Sequence, residues 1–321
     1  MTAAVDTPGL HTNPFVGPRS FDRTDPLHGR DRETQDLVDL LVAERVVLLY
    51  SPSGAGKTSL IRAGLVPRLE EDGFEVLPIV RLTHELPPDF AATGDPGPNT
   101  YVLNTLLSLE EGLPIERQRP LGEIAELTLA QYLDSRRDLD GRAGNTVLIF
   151  DQFEEVVTTD PTDLDAKAEF FAQLGAALSA RSRWALFSLR EDFLAELDPY
   201  VRLVPTALNH RFRLDLLRVD AALQAMTLPA RDAGVEFDPK AATQLADDLR
   251  RVRLQRPDGP VDALGPYVEP VQLQVVCRQL WERLPPHARS IELADVESVG
   301  DVRQQPDRQR LRHDHDERAE R

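Results

Sequence analysis

From Asp31 onward, Leu37, Leu40 and Leu41 recur at helical spacing behind an acidic first turn, which predicts an amphipathic helix. Arg45 to Tyr50 (RVVLLY) is an unbroken apolar, β-branched run and predicts a buried strand. SPSGAGKTS follows at once. The next stretch, SLIRAGLVPRL, is apolar at helical spacing as far as Pro67, where the missing N–H is expected to end the helix. Phe74 to Val80 predicts a second strand, and the proline-rich stretch from Pro87 to Pro98 a loop. Helices are expected from Tyr101 to Leu109, from Leu121 to Arg136 and from Ala166 to Leu178. Thr146 to Phe150 (TVLIF), ending at Asp151, and Trp184 to Leu189 (WALFSL) predict two more buried strands. Alternating strands and helices argue for an α/β fold with a mostly parallel sheet covered on both faces. After Arg213 the strand signals stop, and Ala221–Leu228, Pro239–Leu249 and Val271–Leu284 all read as helices. In the last of them Leu273, Val276, Leu280 and Leu284 share one face, so it packs against a neighbour. No internal repeat is visible.

This pattern divides the chain into an irregular lead-in (1–27), an α/β core (28–214), a small all-helical lid (215–300) and a charged tail (301–321). Phe15, Val16 and Phe21 are the lead-in residues able to dock on the core. From Arg303 the only aliphatic residue larger than alanine is Leu311, so the tail is expected to be disordered.

Charge narrows the partners. The formal net charge is −17, which opposes phosphate backbones and anionic lipid surfaces, so neither nucleic acid nor a membrane is expected as a partner. The single cysteine, Cys277, allows no internal disulfide and lies in an apolar helical pattern as a buried, inert thiol. Neither a secretory leader nor an apolar span of about 18 residues is present, and the expected location is the cytoplasm. Of 37 basic residues only Lys57, Lys167 and Lys240 are lysines, and one of these occupies the glycine-rich loop.

That loop carries the chemistry. Ser51 to Thr58 matches the phosphate-loop template G-x-x-x-x-G-K-[ST] except at its first position, where Ser51 replaces glycine. Gly54 and Gly56 let successive N–H groups turn inward at the start of a helix, so Ser53, Gly54, Ala55, Gly56, Lys57, Thr58 and Ser59 form the candidate nucleotide-binding stretch. Lys57 is expected to reach the β- and γ-phosphates and Thr58 to offer its hydroxyl to Mg²⁺. Asp151, at the end of a buried strand, is the second candidate metal residue, and Glu154 or Glu155 the group that polarises the attacking water. Arg190 in SLREDF stands either as a third phosphate-reading group or as a surface ion pair with Glu191 or Asp192.

Taken together, these residues resemble the STAND class of signalling ATPases, and within it the bacterial group called novel STAND NTPase 1. The resemblance covers most of residues 13 to 300 and rests on NPFVGPRSF with HGRDRE, on the phosphate loop, on DQFEE, on SLREDF and on EPVQLQVVCRQLW. It implies an ASCE-type P-loop NTPase core in which the SLREDF strand lies between the phosphate-loop and DQFEE strands. It also implies that Gly29 and Arg30 precede the nucleotide site near the base, that Pro270 of the lid approaches the adenine, that Glu154 is the catalytic acid residue and that Arg190 is the arginine sensor. The implied activity is that of a slowly hydrolysing ATP/ADP switch requiring Mg²⁺, with nucleotide-dependent self-association in a full-length form and an unknown effector protein. Family members usually continue past the lid into further domains, so the abrupt change near Arg303 is read as a truncation, with a natural short member as the alternative. Three rivals share the motifs. A DNA-associated AAA-type ATPase would want a basic groove, a small-molecule kinase would want lid arginines around an acceptor pocket, and a degenerate module would bind nucleotide without turnover. GTP specificity lacks its N-K-x-D sequence.

Overall fold

A computed structural model describes residues 12–83, 98–140, 144–256 and 259–299. The proline-rich stretch 87–98 lies almost wholly outside the described residues, and the tail from 300 onward lies outside them altogether, with the expectations attached to both.

Five parallel strands form the core sheet: β1 (Val46–Ser51), β2 (Glu75–Val76), β3 (Thr146–Phe150), β4 (Arg183–Arg190) and β5 (Arg211–Arg213). Their spatial order is β2-β3-β4-β1-β5, so β4 runs between β1 and β3 as the resemblance implied. Both faces of the three central strands, β3, β4 and β1, are apolar. Val46 and Leu48 of β1 pack into one hydrophobic cluster with Phe150 and Phe187, while Val47 and Leu49 face the opposite cluster with Ile149 and Leu186. A strand buried on both faces needs this unbroken apolar run rather than an alternating one.

Helix α1 (Asp31–Glu44) buries Leu37, Val38 and Leu41 against the second of these clusters. After the phosphate loop a continuous helix, α2, spans residues 57–71, so Pro67 does not end it. The reason is a wide π-helical turn over Leu60–Leu65, in which Val66 N–H donates to Ile61 O five residues back. The widened turn immediately precedes the proline, where an α-helical ladder would lack a donor. The expected strand 74–80 is likewise broken. It pairs over Glu75–Val76 and again at the bridge of Val80 with Phe150, because Pro78 cannot donate to the ladder.

Helix α3 (Thr100–Glu110) is as expected, whereas the single helix foreseen over 121–136 is two, α4 (Leu121–Ala125) and α5 (Leu129–Asp140). Thr128 restarts the chain by a capping box. Its hydroxyl accepts from Gln131 N–H while the Gln131 side chain accepts from Thr128 N–H. Helix α6 (Leu164–Leu178) then covers the sheet with Phe170, Phe171 and Leu174.

Among the described residues beyond 214 lie four helices: α7 (Val219–Asp232), α8 (Pro239–Leu249), α9 (Pro270–Arg283) and α10 (Leu293–Val299). They form a separate core in which Leu273, Val276 and Leu280 of α9 are buried as anticipated. The lid is not purely helical, however. Two short pairings, β6 (Leu217–Arg218) with β10 (Tyr267–Val268) and β7 (Glu236–Phe237) with β11 (Ser290–Ile291), tie the first half of the lid to its second half. A hairpin of β8 (Arg251–Arg256) and β9 (Gly259–Leu264) projects between α8 and α9. Among the described residues no helix is long and apolar enough to cross a membrane.

The lead-in docks mainly on the lid rather than on the α/β core. Phe15 is 1% exposed and meets Trp281 of α9 edge to face at 6.0 Å. Val16 N–H donates to Gln274 Oε1 at 3.1 Å, and its carbonyl accepts from Arg278. Further along, Phe21 N–H donates to Ser59 Oγ at 3.1 Å, so one short segment is tied both to the lid and to the phosphate-loop helix.

Candidate functional site

The parallel register fixes the site. Ser51 stands opposite Arg190, and Phe150 opposite Phe187, so the carboxyl ends of β1, β4 and β3 open on one edge. Ligands of open α/β sheets bind at this edge.

The loop from Ser51 to Gly56 turns through two left-handed glycines, Gly54 at φ 78° and Gly56 at φ 92°. These conformations suit residues without a Cβ and lead directly into α2, whose N-terminal N–H groups are left for an anion. Ser53 is exposed at the outer bend, while Ala55 is buried beneath. Lys57 extends back over the loop and donates to Ser51 Oγ at 2.9 Å. Burial lowers the pKa of its ammonium, with Glu154 and Asp151 pulling the other way. Thr58 Oγ1 donates to Asp151 Oδ2 at 2.8 Å, joining the two residues expected at the metal across 93 positions of sequence. Ser59 accepts from Phe21 N–H.

Asp151 is buried and receives four donors. Besides Thr58, Ser188 Oγ reaches Oδ1 at 3.0 Å, Gln152 N–H reaches the same oxygen at 3.0 Å, and Arg81 Nη2 reaches Oδ2 at 3.3 Å. Gln152 sits at φ 56°, an unfavourable angle for a residue with a side chain. That turn lets Asp151 face the sheet edge while Phe153 turns back into the core. There Phe153 packs 4.7 Å from Phe187, whose ring stacks on Phe150 at 5.1 Å, and the aromatic cluster backs the acidic turn with rigid surface.

The two glutamates left open by the sequence separate. Glu155 Oε2 accepts from Leu82 N–H at 3.0 Å and so braces the segment after β2. Glu154 lies on the phosphate-loop side, where Oε2 accepts from Arg190 N–H at 3.3 Å and the carboxylate acts on Lys57. Arg190 itself pairs with Asp192 at 2.6 Å and lies over the Phe193 ring, with 44% of its side chain exposed. In this structure Arg190 therefore makes a surface ion pair, with Asp192, although its charge is felt at Lys57.

On the other side of the loop, Arg30 is buried and donates to the carbonyls of Ala55 and Asp215, at 3.0 and 2.8 Å. Burial lowers its pKa and Glu33, at 2.7 Å, opposes that effect. Gly29 lies against α7, where a Cβ would collide with the Ala221 carbonyl. Arg30 lines a largely apolar cavity with Phe21, Leu27, Ala55, Leu60 and Pro270, whereas Gly29 lies outside it. Pro270, the first residue of α9, comes within 4.0 Å of a Cβ placed on Gly56, and Glu269 Oε1 within 2.8 Å of one placed on Gly54. The lid thus rests on the phosphate loop itself.

Sequence reasoning missed Arg81 and Ser188. Both sit one position beyond a residue of a pairing with the β3 end, Arg81 after Val80 and Ser188 after Phe187. Ser188 was within reach, being the residue beside Leu189 in SLREDF. Arg81 follows a strand that Pro78 interrupts, and no motif marks it.

For a divalent metal, the Thr58 hydroxyl and the Asp151 carboxylate supply the hard oxygen donors that Mg²⁺ prefers. Among the described residues no group of three or more His, Cys, Asp or Glu side chains could hold a metal ion.

The sequence profile described as Novel STAND NTPase 1 matches residues 14–309. No curated protein matches the chain. Among solved structures, the Walker-type ATPase of Pyrococcus abyssi superimposes with a TM-score of 0.57 at 14% identity, covering 94% of this chain and 80% of that one. The Aeropyrum pernix ORC2 protein in its ADPNP-ADP complexes gives a TM-score of 0.55 at 16% identity, covering 89% of this chain and 72% of that one. At such identities the likeness shows the P-loop NTPase fold.

Proposed function

The chain belongs to the novel STAND NTPase 1 family, and from that premise we propose that it is an ATP-binding, slowly hydrolysing switch in which the lid reports the state of the nucleotide. The close approach of Glu269 and Pro270 to Gly54 and Gly56, which leaves no room for a side chain on Gly54, carries this reading. A ligand shifts a conformational equilibrium only through contacts that differ between the states. A loop that holds phosphates on one side and a lid on the other meets that condition.

In this reading the N–H groups of residues 53–59 cradle the β-phosphate, and Lys57 exchanges the Ser51 hydroxyl for phosphate oxygens. The apolar cavity beside Ala55 and Pro270 takes the adenine. Thr58 and Asp151 would hold Mg²⁺, which would supply neutralisation of the negative charge that develops on the phosphates. Glu154 takes a proton from water as the new oxygen–phosphorus bond forms and the bond to the ADP oxygen breaks, leaving ADP and phosphate. Arg190, on the neighbouring strand end, would leave Asp192 to read the γ-phosphate. A cytoplasmic setting, an effector protein and, in a full-length form, nucleotide-dependent self-association belong to the same proposal. The net charge of −17 disfavours nucleic acid as the partner.

The nucleotide carried through purification, released by heat and identified by chromatography, tests this reading. ADP is expected, and small-angle scattering should show an expanded particle when a non-hydrolysable ATP analogue replaces it. An empty site, or identical scattering with both nucleotides, would contradict the switch.

A further inference from the structure

Arg81 provides the one guanidinium in direct contact with Asp151 among the described residues, at 3.3 Å from Oδ2, the oxygen that also receives the Thr58 hydroxyl. The Asp151 side chain is 1% exposed and that of Arg81 29% exposed. Lys57 acts on Asp151 through space, but its ammonium is hydrogen-bonded to Ser51.

The position of Arg81 is built by the fold. Val80 N–H donates to Ile149 O and Asp151 N–H donates to Val80 O, which carries the sheet to the residue before Arg81. Arg81 N–H donates to Ser108 Oγ at 3.3 Å, and the next residue, Leu82, is held by Glu155 at its N–H and by Asn104 at its carbonyl. The backbone is fixed on both sides while the guanidinium reaches the site from a half-open flank.

We infer that Arg81 is a positioning residue that serves as the resting counter-cation of Asp151 and that a divalent ion must displace from Oδ2. This rests on the reading of Thr58 and Asp151 as the metal-holding pair. A guanidinium and a divalent ion repel each other at one carboxylate oxygen, so Arg81 lowers metal affinity in the resting site while keeping the carboxylate aimed. The metal then acts as a second key beside the nucleotide, because it must outcompete an internal cation as well as gain its own ligands.

The test is the dissociation constant of Mn²⁺, used as a paramagnetic stand-in for Mg²⁺, on the nucleotide-free full chain, read from the electron paramagnetic resonance of the free ion. Arg81→Gln should bind Mn²⁺ on the order of tenfold or more tightly than the wild type, since a charge within a few ångströms of the ion is removed. Arg81→Lys should stay near wild type. Asp151→Asn should lose the site. Mn²⁺ binding in Arg81→Gln equal to or weaker than that of the wild type would overturn the inference while leaving the metal site standing. Wild-type Mn²⁺ binding in Asp151→Asn would overturn the metal site and the inference with it. Thermal unfolding in EDTA without nucleotide gives an independent reading. Arg81→Gln should lower the midpoint in the wild-type chain but not in the Asp151→Asn background, and an equal drop in both would show that Arg81 does not serve that carboxylate.

Discussion

The Lys57 ammonium is hydrogen-bonded at 2.9 Å to the hydroxyl of Ser51, the residue that stands where the phosphate-loop template has glycine. The hydroxyl in turn donates to the Pro52 carbonyl, so it is held with a lone pair towards the lysine. Ser51 thus gives the lysine a partner before any phosphate arrives. Ser51→Ala is expected to destabilise the nucleotide-free protein by about 1–2 kcal/mol, near the low end for hydrogen bonds to charged groups. Because phosphate no longer has to displace that partner, ADP should bind up to about tenfold more tightly. Urea unfolding with and without ADP measures both quantities, and weaker ADP binding would mean that the hydroxyl helps to present the lysine.

Glu154 and Glu155 predict a separation of function from stability. Glu154→Gln should retain ATP and Mg²⁺ binding and slow hydrolysis by a factor on the order of 10² or more, the range for loss of a general base. Glu155→Ala should leave the buried Leu82 N–H without its acceptor and cost about 1–2 kcal/mol of stability. Single-turnover hydrolysis and urea unfolding of the two variants make the comparison. The assignment fails if Glu155 is the residue whose loss stops turnover.

Arg190 is expected to discriminate between nucleotides. Its exposed pairing with Asp192 is worth at most about 1 kcal/mol, so the guanidinium is easily released to a phosphate. Arg190→Ala should weaken binding of a non-hydrolysable ATP analogue more than binding of ADP. Calorimetry with both ligands decides, and equal losses would leave Arg190 as a surface ion pair.

The depressed pKa of Lys57 gives a pH dependence of defined sign. Burial disfavours the ammonium, so the lysine loses its proton at a lower pH in the folded chain than in the unfolded one. Between those two values the unfolded chain holds more protons, and the nucleotide-free protein gains stability as pH rises. ADP needs the charged form, so its affinity should decline through the same alkaline window, beginning below the ordinary lysine value. Lys57→Arg should flatten that decline, and Lys57→Ala should abolish measurable binding with the fold intact. An ADP affinity independent of pH up to the ordinary lysine value would refute the assignment.

The phosphate loop, the Asp151 turn and the strand bearing Arg190 were legible because each is a local motif at the end of an apolar run. Their meeting at one edge follows from the sheet order β2-β3-β4-β1-β5, which periodicity alone does not contain and the family resemblance supplied. Arg81 was invisible since its importance arises from pairing across the sheet, 70 residues from Asp151. The hairpin of β8 and β9 escaped notice because RVRLQR has the charge density of a helix surface. Pro67 misled for a different reason: a π turn, set by hydrogen bonding and not by composition, absorbs it.

The lead-in has a consequence for biosynthesis. Val16 and Gln274 are 258 residues apart, and Phe15 finds Trp281 further on still. At a translation rate of roughly 5–20 residues per second, the amino-terminal segment waits roughly ten to fifty seconds for its binding surface to be made. During that interval the Phe15 ring has no native neighbour, while the α/β core can already fold behind it. Phe15 and Val16 are therefore among the last residues to find their place, and the ribosome must finish α9 before they can be buried.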